Sequence, residues 1–262
     1  MVAALLEKGW ALFPAEPAVQ AWAVDARRAA LPRVNDPEER AKWLQCEGTW
    51  FVGVDTLAND AAGAVPGGAA LTGAAMDAAT RLYGQLPLHR GQVSVTWPGY
   101  PRPRKGESEA AFRYRLKRDA AHVDGLLAVG EARRRMLRER HAYILGLPLT
   151  ECDAGASPLV VWEGSHHVMR EAFAQALGGR DDAEWREIDL TDAYHAARRT
   201  VFETCPRIEV SARPGEAYLV HRHALHGVAP WASGARAPEA GRMIAYFRPE
   251  FRAGTREWLE LP

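Results

Sequence analysis

Two regimes of hydrophobic patterning divide the chain. Up to about residue 90, apolar side chains recur every three or four positions and alanine is abundant, which predicts helices. Pro17 to Ala30 is one such stretch, and Asp36-Pro37 reads as an N-cap followed by proline at the first helical position. A third helix is expected from about Ala69 to Tyr83. Between these, TWFVGVD is a short β-prone run, and VPGG at 65–68 is a turn.

From Gln92 the pattern changes to short β-branched and aromatic runs separated by proline and glycine: QVSVTW, HAYILGLPL, PLVVW, RIEV, EAYLV and RMIAYF. Many short strands at this spacing predict a sandwich or barrel. Two helical inserts interrupt them, around His167 to Leu177 and from Thr191 to Glu203, with Thr191 or Asp192 as the expected cap of the second. The expectation is one mainly β domain with flanking helices over 1–262, its helical part (1–90) packing on a β core (91–262).

Composition narrows the function classes. At 262 residues, 47% hydrophobic and 25% charged, the chain is an ordinary globular sequence long enough to bury a core. Lysine plus arginine equals aspartate plus glutamate at 33 each, so no global field draws it to nucleic acid or an anionic membrane. The opening MVAALLEKGWALFP reads as neither a secretory leader nor a membrane span, and the expected location is the cytoplasm. Cys46, Cys152 and Cys205 are widely spaced and are expected to be reduced and structural.

The chemistry is expected among the nine histidines. Only His122-Val123-Asp124 forms an H-x-D pair, and on an extended backbone residues i and i+2 project to one side, so imidazole and carboxylate can face a single ion. A third ligand must come from elsewhere, and His226, after the strand EAYLV, is the candidate. Two imidazoles and a carboxylate on one face suit a ferrous oxygenase, and the same set could hold zinc with a water. His221 and His223, following Gly215, reproduce the first half of a cupin metal motif whose glutamate is missing. His166 and His167, as neighbours on an extended chain, would project to opposite sides and are not read as a ligand pair, and His89, His141 and His195 are read as structural. The basic segment PRPRKGESEAAFRYRLKRD, carrying Arg102, Arg104, Lys105, Arg113, Arg115, Lys117 and Arg118, is a candidate lid that would attract an anionic small-molecule substrate, or else a solvated helix.

Several segments together resemble the phytanoyl-CoA dioxygenase family: LLEKGWALFP, AHVDG, LPLTECDAGASPLVVWEGSHH, and GEAYLVHRHALHGVAPW through GRMIAYFRPEF. The resemblance implies a double-stranded β-helix (a cupin-like jelly roll) and an Fe(II)- and 2-oxoglutarate-dependent dioxygenase that uses O2, hydroxylates a small molecule, and releases succinate and CO2. It puts His226 at the distal ligand position with His122 and Asp124. It puts Arg242, sixteen residues later, on the co-substrate, with Arg236 as competitor. A planar guanidinium suits a carboxylate through two charge-assisted hydrogen bonds. Gln92, Thr96 and Tyr143 are further expected co-substrate contacts. The chain departs from the family at Glu163, where proline is usual, and at Val228, where a hydroxyl residue is usual. Asp124 fills the position that related halogenating enzymes leave free, which implies oxidation. Two rivals remain at this stage: a cupin-like metal enzyme using His221 and His223, and a non-catalytic jelly-roll binding protein.

Overall fold

The computed structural model describes residues 1–252 and 254–262. The chain opens with α1 (Val2–Lys8), β1 (Trp10–Phe13), α2 (Pro17–Asn35) and α3 (Pro37–Trp43). These are followed by β2 (Leu44–Gln45), β3 (Trp50–Phe51), α4 (Ala74–Tyr83), β4 (Gln92–Thr96) and α5 (Glu109–Lys117). The second half runs β5 (Leu126–Val129), β6 (Arg134–Leu137), β7 (Tyr143–Pro148), β8 (Leu159–Trp162), α6 (Ser165–Leu177) and α7 (Thr191–Thr204). It closes with β9 (Arg207–Val210), β10 (Ala217–His221), β11 (His226–Val228), β12 (Arg242–Phe247) and α8 (Arg256–Glu260).

The strands form a seven-stranded antiparallel sheet ordered β1-β10-β7-β12-β4-β3-β2, a smaller sheet ordered β11-β8-β9, and the separate ribbon β5-β6. His122 adds a stub beside β11 through an isolated antiparallel bridge to His226. From β4 onward the chain visits the large sheet, the His122 stub, the large sheet at β7, the small sheet at β8 and β9, then β10, β11 and β12 in alternation. That winding is a double-stranded β-helix.

Alternation along each strand sorts side chains between two cores. Ile144, Leu159, Val161, Tyr218, Val220, Ile244 and Tyr246 fill the space between the sheets. Val93, Val95, Tyr143, Leu145, Leu219, Met243, Ala245 and Phe247 face outward from the large sheet into a helical layer. There α2 buries Val19, Trp22, Ala23, Ala26, Ala30 and Val34, spaced as one helical stripe. Trp22 meets Phe247 edge-on at 5.9 Å, and Tyr83 of α4 stacks on Tyr143 at 5.6 Å.

Several expectations are met and some are displaced. The six β-prone runs are strands, and the Asp36 carboxylate caps α3 through Glu38 N and Glu39 N. The first ninety residues are not only a helical layer, because β1, β2 and β3 extend the large sheet. The helix expected from Ala69 begins at Ala74. The N-cap of α7 is Leu190, neither Thr191 nor Asp192, and Asp189 Oδ1, two positions before Thr191, accepts from Thr191 N at 2.9 Å. Among the described residues, no helix is long and apolar enough to cross a membrane.

Candidate active site

His122 and His226 face each other across the stub and β11, exchanging both backbone hydrogen bonds: His122 N to His226 O at 2.8 Å and His226 N to His122 O at 3.0 Å. Such a pair brings two side chains to one face of the ladder. The close approach is built from the sequence. Asp119 and Ala120 take positive φ and turn the chain toward β11, and Arg207 fixes Asp119 with two bonds of 2.7 and 2.8 Å. Gly227 is required beneath this turn, since a Cβ there would stand 2.1 Å from Asp119 O. Gly125, directly after Asp124, has φ +84 and faces Glu139 O, which a Cβ would meet at 2.3 Å.

Asp124 projects with His122, as the H-x-D spacing requires. His122 Nε2 lies 3.1 Å from Asp124 Oδ1, His226 Nε2 lies 3.7 Å from Oδ2, and one ligand atom from each of the three residues falls within 4.8 Å of the others. Among the described residues this is the one histidine, cysteine and carboxylate cluster so arranged. Both rings are set alike: His122 Nδ1 bonds Ala120 O at 3.0 Å and His226 Nδ1 bonds Ala224 O at 2.9 Å. A nitrogen facing a carbonyl oxygen must carry the hydrogen, so each Nε2 keeps its lone pair for the centre of the cluster. This donor set fits a divalent first-row metal and leaves further coordination positions open.

The carboxylate is held by a residue that the sequence reading passed over. Arg248 donates from Nε to Asp124 Oδ2 at 2.5 Å and from Nη1 to Gln92 Oε1, while Gln92 Nε2 donates to Val52 O. Burial opposes ionisation of Asp124, but Arg248, His226 and His122 overcome it and keep the carboxyl well below the ordinary range. Arg248 was readable: RMIAYFR places residues 242, 244, 246 and 248 on one strand face.

These residues open on a cavity of about 600 Å³. Its wall is largely apolar, with Trp50, Val52, Val54, Pro87, Ile144, Leu159, Val220, Val228 and Pro249, interrupted by Ser94 and Tyr246. Asp55, His89, Glu139, His141 and Glu250 line it toward the end where the chain runs on past Arg248. Gln92, expected at the co-substrate, lines the cavity with its amide bonded to Arg248 and Val52 O. Thr96 and Arg242, also expected at the co-substrate, are not among the residues lining this cavity: both are buried, paired across β4 and β12 beneath Ser94 and Ile244, and Arg242 borders a separate small pocket with Cys152 and Tyr218. Arg242 is 5% exposed, and the groups that act on its charge are the Tyr246 and Tyr218 hydroxyls and the Cys152 thiol. No carboxylate pairs with it among the described residues. Thr96 Oγ1 has no hydrogen-bond partner, and Tyr218 OH donates to Tyr246 OH at 2.9 Å.

Other expected site residues lie elsewhere. Tyr143 is on the outer face of β7 against Tyr83, away from the cavity, because Ile144 takes the inward position. His221 and His223 are buried outside the barrel, His221 against His166 and His223 against Phe173 and Trp258. They share no site with His122. His166 lies in the first turn of α6, after Gly164, and its Nε2 bonds Leu6 O. Arg236 pairs with the Asp153 carboxylate at the surface. The basic segment contributes nothing to the cavity wall; Arg115 folds it onto Glu107 through bonds of 2.9 and 2.7 Å. His89 and His141, read as structural, both line the cavity.

No protein-family model matches the sequence, and no curated protein matches it. Solved structures similar to this chain include the non-heme alpha ketoglutarate dependent carbocyclase SnoK from nogalamycin biosynthesis, at 19% identity, covering 99% of this chain and 90% of that one with a TM-score of 0.47. EctD from S. alaskensis, solved with 2-oxoglutarate and 5-hydroxyectoine, is 16% identical over 95% of this chain and 74% of its own, at 0.48. AviO1 from Streptomyces viridochromogenes Tue57 is 14% identical over 96% and 94%, at 0.49. At these values the assignment of fold and site rests on the chain's own strand order and geometry.

Proposed function

We propose that the protein is a non-haem Fe(II)- and 2-oxoglutarate-dependent dioxygenase that oxidises a small molecule, by hydroxylation, with release of succinate and CO2. The observation that carries this reading is a pair of features on one barrel axis: the His122, Asp124 and His226 cluster, and beneath it a buried guanidinium without a carboxylate partner. An unpaired buried charge is costly, and on the inward face of β12 the counter-ion that suits Arg242 is a ligand carboxylate.

His122, Asp124 and His226 would hold the iron. Arg242, beneath the lined cavity, would bind the distal carboxylate of 2-oxoglutarate, with the Tyr246 and Ser94 hydroxyls lining the cavity above it and Thr96 beside it; these hydroxyls would stand in for the one missing at Val228. Iron with 2-oxoglutarate and O2 supplies the oxidising chemistry. The chain's own residues fix the ligand tautomers through Ala120 O and Ala224 O, orient Asp124 through Arg248, and line the substrate space with a largely apolar wall.

Anaerobic titration with ferrous iron and 2-oxoglutarate, watched for the visible charge-transfer band, tests the assignment. The wild type should develop the band, Asp124→Ala should lose it, and Arg242→Ala should need about a hundredfold more 2-oxoglutarate, as expected for loss of a bidentate charge-assisted pair. A wild type that binds neither, as a jelly-roll binding protein would, overturns it.

A further inference from the structure

The polar side chains at the cavity mouth, set among Val54, Pro87 and Pro249, are almost all acceptors. Asp55, Glu139 and Glu250 face it from three segments: the loop after β3, the approach to β7, and the stretch after β12. Arg248 is the sole lysine or arginine among the lining residues, and it is committed to Asp124 and Gln92. His89 is also committed: its Nε2 accepts from Arg248 N at 2.8 Å and its Nδ1 faces Arg90 O at 2.6 Å.

His141 is different. It is 8% exposed, it lines the same cavity, and its Nδ1 has no hydrogen-bond partner. With Nε2 turned to Glu139 Oε2 at 3.5 Å, the ring hydrogen belongs on Nε2, and Nδ1 remains an acceptor. Burial pushes this imidazole down to about 4, so it is neutral at neutral pH. Burial, with Asp124 and Glu250 nearby, pushes the Glu139 carboxyl up against the opposing pull of Arg248, the response of a carboxylate whose neighbours are mainly carboxylates.

We propose that the substrate enters with a cationic, hydrogen-rich head group, a protonated amine or guanidinium, bound at the mouth by Glu139, Glu250 and Asp55 with His141 as a neutral acceptor. The proposal rests on reading this cavity as the active site. It replaces the anionic substrate expected from the basic segment, which does not reach the cavity. A second metal ion is the weaker occupant, because among the described residues the mouth groups do not converge as His122, Asp124 and His226 do.

The test is binding of three matched probes, phenethylamine, phenethyl alcohol and hydrocinnamate, to metal-free and manganese-loaded protein by calorimetric titration. The amine should bind at least about tenfold tighter than the alcohol, from one charge-assisted contact, with the carboxylate weakest. The isosteric pair Glu139→Gln/Glu250→Gln should erase the preference while melting temperature and manganese affinity at the cluster stay unchanged. No binding of the amine, equal binding of amine and alcohol, a preference that survives in the double variant, or a second manganese lost with it, would each overturn the proposal. Because the preference is read without metal, loss of the charge-transfer band in the wild type sinks the oxygenase reading alone. A normal band with no amine preference sinks this one alone.

Discussion

Arg248→Met separates the metal cluster's electrostatics from its ligands. Arg248 and Asp124 are 19% and 13% exposed, and the pair closes at 2.5 Å. Removing one partner of a fully buried pair costs about 3–5 kcal/mol because the other charge is stranded. Here the cavity admits water and two imidazoles stand beside the carboxylate, so about 2–3 kcal/mol is the appropriate size. For a protein of this length that is a fall of about 5–10 °C in the metal-free Tm. A divalent ion then becomes the counter-charge that Arg248 supplied, so manganese should raise the variant's Tm by about 5 °C more than it raises the wild type's. Arg248→Lys should recover part of the loss, since it keeps a charge but not the fork that spans Asp124 and Gln92. Calorimetry with and without manganese reads all three proteins. Equal manganese shifts in wild type and Arg248→Met, or an unchanged metal-free Tm, would refute the claim that Arg248 is the cation Asp124 depends on.

Two further substitutions test how the site is carried. Gly227→Ala should weaken manganese binding at least about tenfold, because its Cβ would stand 2.1 Å from Asp119 O and overpacking of this kind costs about 1–3 kcal/mol at the turn that delivers His122; unchanged affinity would show that the stub tolerates displacement. Glu107→Gln probes the basic segment. The hydrogen bonds from Arg115, against the opposing effect of burial and with help from Arg104 N, bring the Glu107 carboxyl from an ordinary 4.5 down to about 2. The folded value is the lower one, so its stabilisation is complete above the unfolded value and fades as pH falls toward 2. The variant should be about 1–2 kcal/mol less stable at neutral pH by urea unfolding, with under about half that gap at pH 3. A gap that is constant with pH would place the effect in packing.

What was legible in the sequence was local. Period-two runs such as QVSVTW and RMIAYF are strands because their alternate residues serve two cores, and the H-x-D spacing needs only an extended backbone to put His122 and Asp124 together. His226 was legible through the segment it begins. What was not legible depends on pairing between distant strands. His141 lines the cavity because it bridges Glu250, 109 positions away in the chain, and nothing near either residue announces that contact. Tyr143 and Ile144 differ by one position, and only the register against β10 and β12 decides which of them faces inward. Arg248 sits between these cases: alternation from Arg242 put it on the inner face, but its partner Asp124 became visible only with the barrel closed.

The same alternation explains how one short strand serves opposite ends of the cavity. Along β12 and its extension, Arg242, Ile244, Tyr246 and Arg248 step along one inner face, two residues and about 6–7 Å at a time. Beneath the lined cavity Arg242 therefore holds a positive charge without a carboxylate partner among the described residues, the middle is apolar with two hydroxyl-bearing residues, and the level of His122, Asp124 and His226 holds a positive charge already neutralised by Asp124. Beyond that level the lining carboxylates are in excess. A dicarboxylate is repelled at the mouth and attracted at the floor, whereas a cation meets the reverse. The two ends thus sort their ligands by sign before any shape is read, and this is why the mouth and floor variants can be tested independently, Glu139→Gln/Glu250→Gln on one and Arg242→Ala on the other.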